Sequence, residues 1–331
     1  MKALWTWAQS PDELVAVEDL ILARCGNRVV ALDENGEERW RRAYPRTPAR
    51  LTLCGRGVAF ELSDRSGPTQ VMALDLDGKE RWRFDRRWGL HFQGLHGDAR
   101  GVVLYGQDHW DQKGEFPGGQ ALDRWIGLEA ETGACGFDVP PPAEEAPIPC
   151  GSWLIATKDR DAQGLVRTDR DATHATLLSS LAISALTANE ELVLLGTQGD
   201  PGEVVAVELA SGRERWRAPG GDNLQMSLYQ RWGAWVQGLC PVVYDLATGA
   251  QVFCGAPLPP LKSKYEWYSC ILGPNALVCY GSGVAFYSLD AASPIRTREK
   301  RHDTPAASRF WKGRFLETSA DGLTCWNLTT D

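Results

Sequence analysis

Runs of apolar, β-branched residues recur along this chain, each followed by a short acidic turn that ends in glycine. The segment VVALDENGEERW (29–40) carries the whole pattern. Its first half predicts a buried strand. Asp33 can hydrogen-bond the amides of a tight turn, and Gly36 supplies the positive φ that such a turn demands. The second half alternates exposed charge with one aromatic, which predicts the return strand of a hairpin. The pattern repeats in ALDLDGKERW (73–82), GLEAETGACGF (127–137), AVELASGRERW (206–216) and VYDLATGAQVF (243–253). The aromatic always stands four residues after the glycine: Gly36 and Trp40, Gly78 and Trp82, Gly133 and Phe137, Gly212 and Trp216, Gly249 and Phe253. Acid-to-glycine spacing is three at Asp33 and Asp75 but four at Glu129, Glu208 and Asp245. The turn varies while the register of the return strand does not. A one-residue slip would send the aromatic to the wrong face.

Weaker copies occupy 164–178, 284–297 and 322–331. With Asp33, Asp75, Glu129, Asp169, Glu208, Asp245, Asp290 and Asn327 as markers, the spacings are 42, 54, 40, 39, 37, 45 and 37. A period near forty with several strands per repeat predicts an all-β propeller of four-stranded antiparallel blades. Eight blades fit the markers best, and seven is the alternative, because the copy at 164–178 lacks the aromatic four residues after a glycine. Segments 101–109, 191–200 and 276–283 read as inner strands ending in turns. The last copy runs out after its third strand, and the alternating segment KALWTWA (2–8) has no hairpin partner nearby. The N-terminal strand is therefore expected to complete the last blade, hiding two sheet edges at once.

These repeats resemble the quinoprotein-alcohol-dehydrogenase-like superfamily, propellers of pyrroloquinoline-quinone-type repeats, whose consensus is roughly Ala-x-Asp-x-x-Thr-Gly-x-x-x-Trp. The resemblance extends from about Ala3 to Asn327 and implies that Trp40, Trp82 and Trp216, and by analogy Phe137 and Phe253, dock between neighbouring blades. Members include quinone dehydrogenases, a lipoprotein that assists outer-membrane barrel assembly, and non-catalytic scaffolds. The dehydrogenases stack their quinone on a disulfide of two adjacent cysteines and hold calcium beside it. This chain has no adjacent cysteine pair, so neither a quinone cofactor nor a metal is expected.

Composition narrows the reading further. The 331 residues read as one domain, 1–331, with an insertion at 106–124 that stretches one interval to 54. A net charge of −8 argues against a nucleic-acid surface. Acidic residues break the first thirty positions, so no secretory signal is expected, and no apolar run is long enough for a membrane helix. The nine cysteines are scattered, without a C-x-x-C, and read as reduced core residues of a cytoplasmic protein. Arginine outnumbers lysine, an association with bacterial genes. Asp-x-Asp pairs at 159/161 and 169/171 lack the rest of a calcium loop, and His91 and His96 read as structural. The insertion supplies Asp108, His109, Trp110, Asp111 and Phe116, and neighbouring connections supply Arg65, Asp159, Arg160 and Asp161. Blade topology places these connections on one face, as a rim where aromatic and arginine side chains could anchor a partner. The expected function is a non-catalytic scaffold binding protein partners in a bacterial cytoplasmic complex. The alternative is a small-ligand binder or quinone-dependent oxidoreductase using the central funnel.

Overall fold

The computed structural model of the chain describes residues 2–63, 70–85, 90–108, 122–143, 147–158, 163–199, 202–220, 225–261, 268–281, 283–290, 294–299, 308–319 and 321–328. Every regular element among them is a β-strand. Six sheets have four strands, and a seventh has seven. In that seventh sheet, the strand Ala175–Ala188 pairs through its first half with Gln163–Asp169 and through its second half with Leu192–Thr197. It closes one four-stranded unit and opens the next, so the chain lays out eight such units.

We number these blades along the chain. Blades 1 to 3 span 13–43, 47–85 and 90–139, blades 4 and 5 span 148–182 and 183–219, and blades 6 and 7 span 227–254 and 269–299. Blade 8 takes Arg309–Trp311, Arg314–Ser319 and Gly322–Asn327 from the C-terminal end and Lys2–Trp7 from the N-terminal end. Lys2 pairs with Asn327 and Trp7 with Leu323. All pairing within blades is antiparallel, and the first strands of consecutive blades lie beside one another.

The core is divided among the joints. One apolar cluster joins blade 1 to blade 2, through Val15, Leu22, Val58 and Phe60. Others join blades 2 and 3, 3 and 4, 4 and 5, 5 and 6, 6 and 7, and 7 and 8. An eighth joins blade 8 back to blade 1, through Leu316, Leu323, Leu14 and Ile21.

The turns explain the spacing rule. In the shorter class the Gly36 amide donates to the Asp33 carbonyl three residues back, and Gly78 does the same to Asp75. In the longer class the Gly133, Gly212 and Gly249 amides reach back four residues, to Glu129, Glu208 and Asp245. The extra residue comes with a hydroxyl before the glycine. Thr132, Ser211 and Thr248 each donate to the turn acid, at 3.0, 2.8 and 3.2 Å. Either way the turn closes and the glycine takes a φ of +68 to +79°.

Most of these turns receive an indole from the preceding blade. Trp40 Nε1 donates to the Leu76 carbonyl at 2.7 Å, Trp82 to Ala130 at 2.8 Å and Trp216 to Leu246 at 2.8 Å. The acceptor is always the residue after the turn acid. The indole covers the next turn's glycine so closely that a Cβ there would lie 2.6–2.7 Å from the ring. The site admits glycine for two reasons, the positive φ and the ring. The residues paired across from the three indoles are Ala31, Ala73 and Ala206, small enough for the ring to cross its own sheet. Phe137 has Gly127 opposite it and packs in the joint with Ala172, while Phe253 meets Tyr287 edge-on at 6.0 Å.

Trp5 belongs to this set, although it has no repeat around it. Its Nε1 donates to the Glu34 carbonyl at 2.9 Å and its ring lies over Gly36. The N-terminal strand thus supplies blade 8 with both its outer edge and its indole. At blade 4, by contrast, the indole's tasks are divided. Leu178 touches Gly212, while Arg167, stacked on Trp153 at 4.2 Å, donates to the Leu209 and Ala210 carbonyls. Ala172 holds the glycine position of blade 4's own turn, with φ +54°.

Two measurements test this account. Trp216→Ala removes a ring and its hydrogen bond from the joint and should cost about 3–5 kcal/mol in urea unfolding. Trp5→Ala should cost a comparable amount, and a loss under about 1 kcal/mol for both would contradict the docking role. The turn acids also predict a pH response. Partial burial pushes the Asp169 carboxyl up, but hydrogen bonds from Thr173 and His174 outweigh it and hold the group down at about 2, below its ordinary 3.8. Glu208 and Asp245 move in the same direction. A folded value below the unfolded one gives stability that is complete above the unfolded value and fades as pH falls towards the folded one. The urea midpoint should therefore drop between about pH 4 and pH 2, and Asp169→Asn should flatten that slope.

Candidate functional site

Strand direction alternates within a blade, so the link from second to third strand shares a face with the links between blades. The acid–glycine turns lie on the opposite face. Three of the second-to-third links leave from Ser63, Asp108 and Lys158 and return at Gln70, Leu122 and Gln163. These are the connections that carry the rim read from the sequence. Arg65, His109, Trp110, Asp111, Phe116, Asp159, Arg160 and Asp161 lie outside the described residues. Asp108 ends the strand Gly101–Asp108, opposite Leu90 and Leu122. The segments 101–108, 192–197 and 276–280, read from the sequence as inner strands, are each the second strand of a blade.

Two residues weighed for chemistry, Asp169 and His96, lie among the described ones. Asp169 spends both carboxylate oxygens on its own turn, accepting the Thr173 amide at 2.8 Å and the Thr173 hydroxyl at 2.7 Å, with His174 Nδ1 at 3.1 Å. His96 sits on the first strand of blade 3, opposite Val103. Burial lowers its pKa, and the nearby Arg50 charge lowers it further, both favouring the neutral imidazole. Arg50 itself pairs with Glu61, which is 4% exposed, while its amide and that of Leu51 donate to Glu13 of the preceding blade.

Among the depressions formed by described residues, two are roomy, and the sequence pointed to neither. The first, of about 380 Å³, runs along the joint where blade 4 lacks its indole. Leu177, Leu178 and Leu181 form one wall, and Val205, Val207, Glu214 and Arg217 the other. Leu177 is 52% exposed there. The second, of about 370 Å³, lies among the first turns of blades 3, 4 and 5, lined by Asp98, Arg100, Cys150, Trp153, Asn189 and Glu190. Asp98 accepts the Arg100 amide at 2.9 Å and Arg170 Nη2 at 2.8 Å. Burial pushes the Cys150 thiol up to about 12, so it is not a nucleophile at neutral pH. The first depression offers apolar contact beside an ion-paired edge, and the second offers polar contacts.

No curated protein matches the sequence. Among solved structures, the computationally designed Ika8 protein superposes with a TM-score of 0.66 at 11% identity, over 98% of each chain. BamB from Moraxella catarrhalis does so with a TM-score of 0.65 at 11% identity, also over 98% of each chain. At that identity the two likenesses establish the fold, a β-propeller of the kind the blades describe. The sequence itself decides the family. A family profile described as outer membrane protein assembly factor BamB, built on PQQ-type repeats, matches residues 26–232, well over half the chain, and the protein belongs to that family.

Proposed function

We propose that the protein is a non-catalytic scaffold, a rigid ring that binds one or more protein partners within a multi-protein bacterial complex. Family membership carries the reading, because the family's description is that of an assembly factor. The fold supports it in physical terms. Apolar clusters at every joint, with indoles pinned to neighbouring turns, hold the blades in fixed relation. A rigid frame lets its connections meet a partner at little entropic cost. The surface we assign to the partner is the face from which the links after Ser63, Asp108 and Lys158 emerge, with Trp110 and His109 as anchors. We place the protein in the cytoplasm, in keeping with its nine free cysteines.

The reading is tested by capture from bacterial lysate on the immobilised full-length protein, with bound proteins identified by mass spectrometry. The parent should retain a defined set of proteins, and Trp110→Ala with His109→Ala should reduce their recovery severalfold while the melting temperature stays unchanged. Equal recovery by the parent and the double variant would remove the assigned face. A rise of several degrees in melting temperature with quinone plus calcium would replace the scaffold by a funnel-binding enzyme.

A further inference from the structure

Nine cysteines are distributed unevenly over the blades. Cys25, Cys54, Cys135, Cys150 and Cys325 lie in five different blades, whereas blades 6 and 7 hold two each. In blade 7, Cys270 on the first strand faces Cys279 on the second in direct register. Their sulfurs are 3.4 Å apart and both residues are buried. In blade 6, Cys240 lies opposite Gln237 and Cys254 opposite Val242, so those two are out of direct register, although their side chains also hydrogen-bond.

We propose that Cys270 and Cys279 form an oxidative modification site, a dithiol that closes to an intramolecular disulfide by exchange with a low-molecular-weight disulfide such as oxidised glutathione. The geometry is close to what the bond requires. Directly opposed residues of an antiparallel pair hold their Cβ atoms about 4.5–5.5 Å apart, and a disulfide takes about 3.5–4.5 Å. The sulfurs must close by roughly 1.4 Å to reach the S–S length of about 2.04 Å. Side-chain rotation with a small approach of the strands accomplishes this. The two residues are nine apart, joined by a tight turn at 273–275. Their encounter is therefore local to one hairpin and does not need the assembled ring.

The exchange balances as follows. The Cys270 thiolate attacks one sulfur of the glutathione disulfide, forms a mixed disulfide and expels one glutathione thiolate. The Cys279 thiolate then attacks the Cys270 sulfur and expels the second. The protein loses two electrons and two protons, and the glutathione disulfide gains the electrons. Burial raises the Cys279 thiol well above its ordinary range, and its hydrogen bond with Cys270 adds to this. The packed Cys279 thiol is consequently slow to react, and the pair exchanges while the hairpin is open. Such a bond would be reversible in a reducing compartment, in the manner of cytosolic redox-sensing pairs.

The test uses the full chain. It is unfolded in urea and refolded with oxidised glutathione or, in parallel, with reduced glutathione. Remaining thiols are alkylated in denaturant, and the protein is digested with trypsin. Residues 265–296 form one tryptic segment holding both cysteines of blade 7, and Cys240 and Cys254 fall in another. The expected result is a 265–296 peptide from the oxidised sample that is unalkylated and lighter by two hydrogens. The folded oxidised protein should melt a few degrees higher than the reduced one. Full alkylation of both residues, or a linkage confined to Cys240 and Cys254, would overturn the proposal. In Cys270→Ser, Cys279 should be alkylated under both conditions and the redox dependence of melting should vanish. If that variant does not fold, the peptide map of the parent alone decides.

Discussion

One contact governs this structure: an indole N–H bonded to the carbonyl that follows a turn acid, with the ring laid over the glycine that ends the same turn. It joins two blades at a point where each alone would be unsatisfied. The turn has an outward carbonyl and a bare glycine, and the outer strand has a large ring with no core of its own. A buried indole removes roughly 200 Å² from water, worth about 5 kcal/mol before entropy is counted. The hydrogen bond adds about 1 kcal/mol. The larger part is apolar, and the smaller part fixes direction. The glycines, the alanines paired with the rings and the turn acids all follow from accommodating that contact.

The fold was legible for the same reason. A contact that demands acid, glycine and aromatic at fixed spacing prints itself in the sequence each time it is used. Gly36, Gly78, Gly133 and Gly249 could be read because no other residue meets both the φ and the ring. The two turn lengths could be seen as numbers, but their cause could not. It lies in Thr132, Ser211 and Thr248 bonding back to the acid. Trp5 was harder, because its turn partner lies 31 residues further along the chain in another blade. Blade 4 was harder still. Leu178 and Arg167 divide an indole's work between two ordinary residues with no shared spacing. Ala172 adopts a glycine's conformation without a glycine's letter. Where one side chain performs two tasks the pattern survives, and where two share them it dissolves.

The candidate surfaces follow the opposite logic. The depression beside Leu178 exists because a repeat departs from its siblings, so no repeat pattern can announce it. The polar turns around Asp98 and Glu190 come together from three blades, and nothing in their local sequence marks their neighbours. The thiols of Cys270 and Cys279 were visible as apolar strand residues, but their opposition depends on the register of one hairpin. Structural residues here are repetitive, and the residues of the candidate surfaces are not.

The pairing of Lys2–Trp7 with Gly322–Asn327 has a consequence for biosynthesis. The strand Lys2–Trp7 must wait for a partner synthesised more than 300 residues later. Throughout translation it travels as an uncapped ribbon, with Trp5 and Trp7 facing solvent and the first blade lacking its neighbour. The nascent protein can stack its sheets one upon another, but it remains an open arc until synthesis reaches the final strands. Ring closure is thus a late and nearly concerted event. A stalled or clipped chain would be left with two sticky ends rather than a smaller ring.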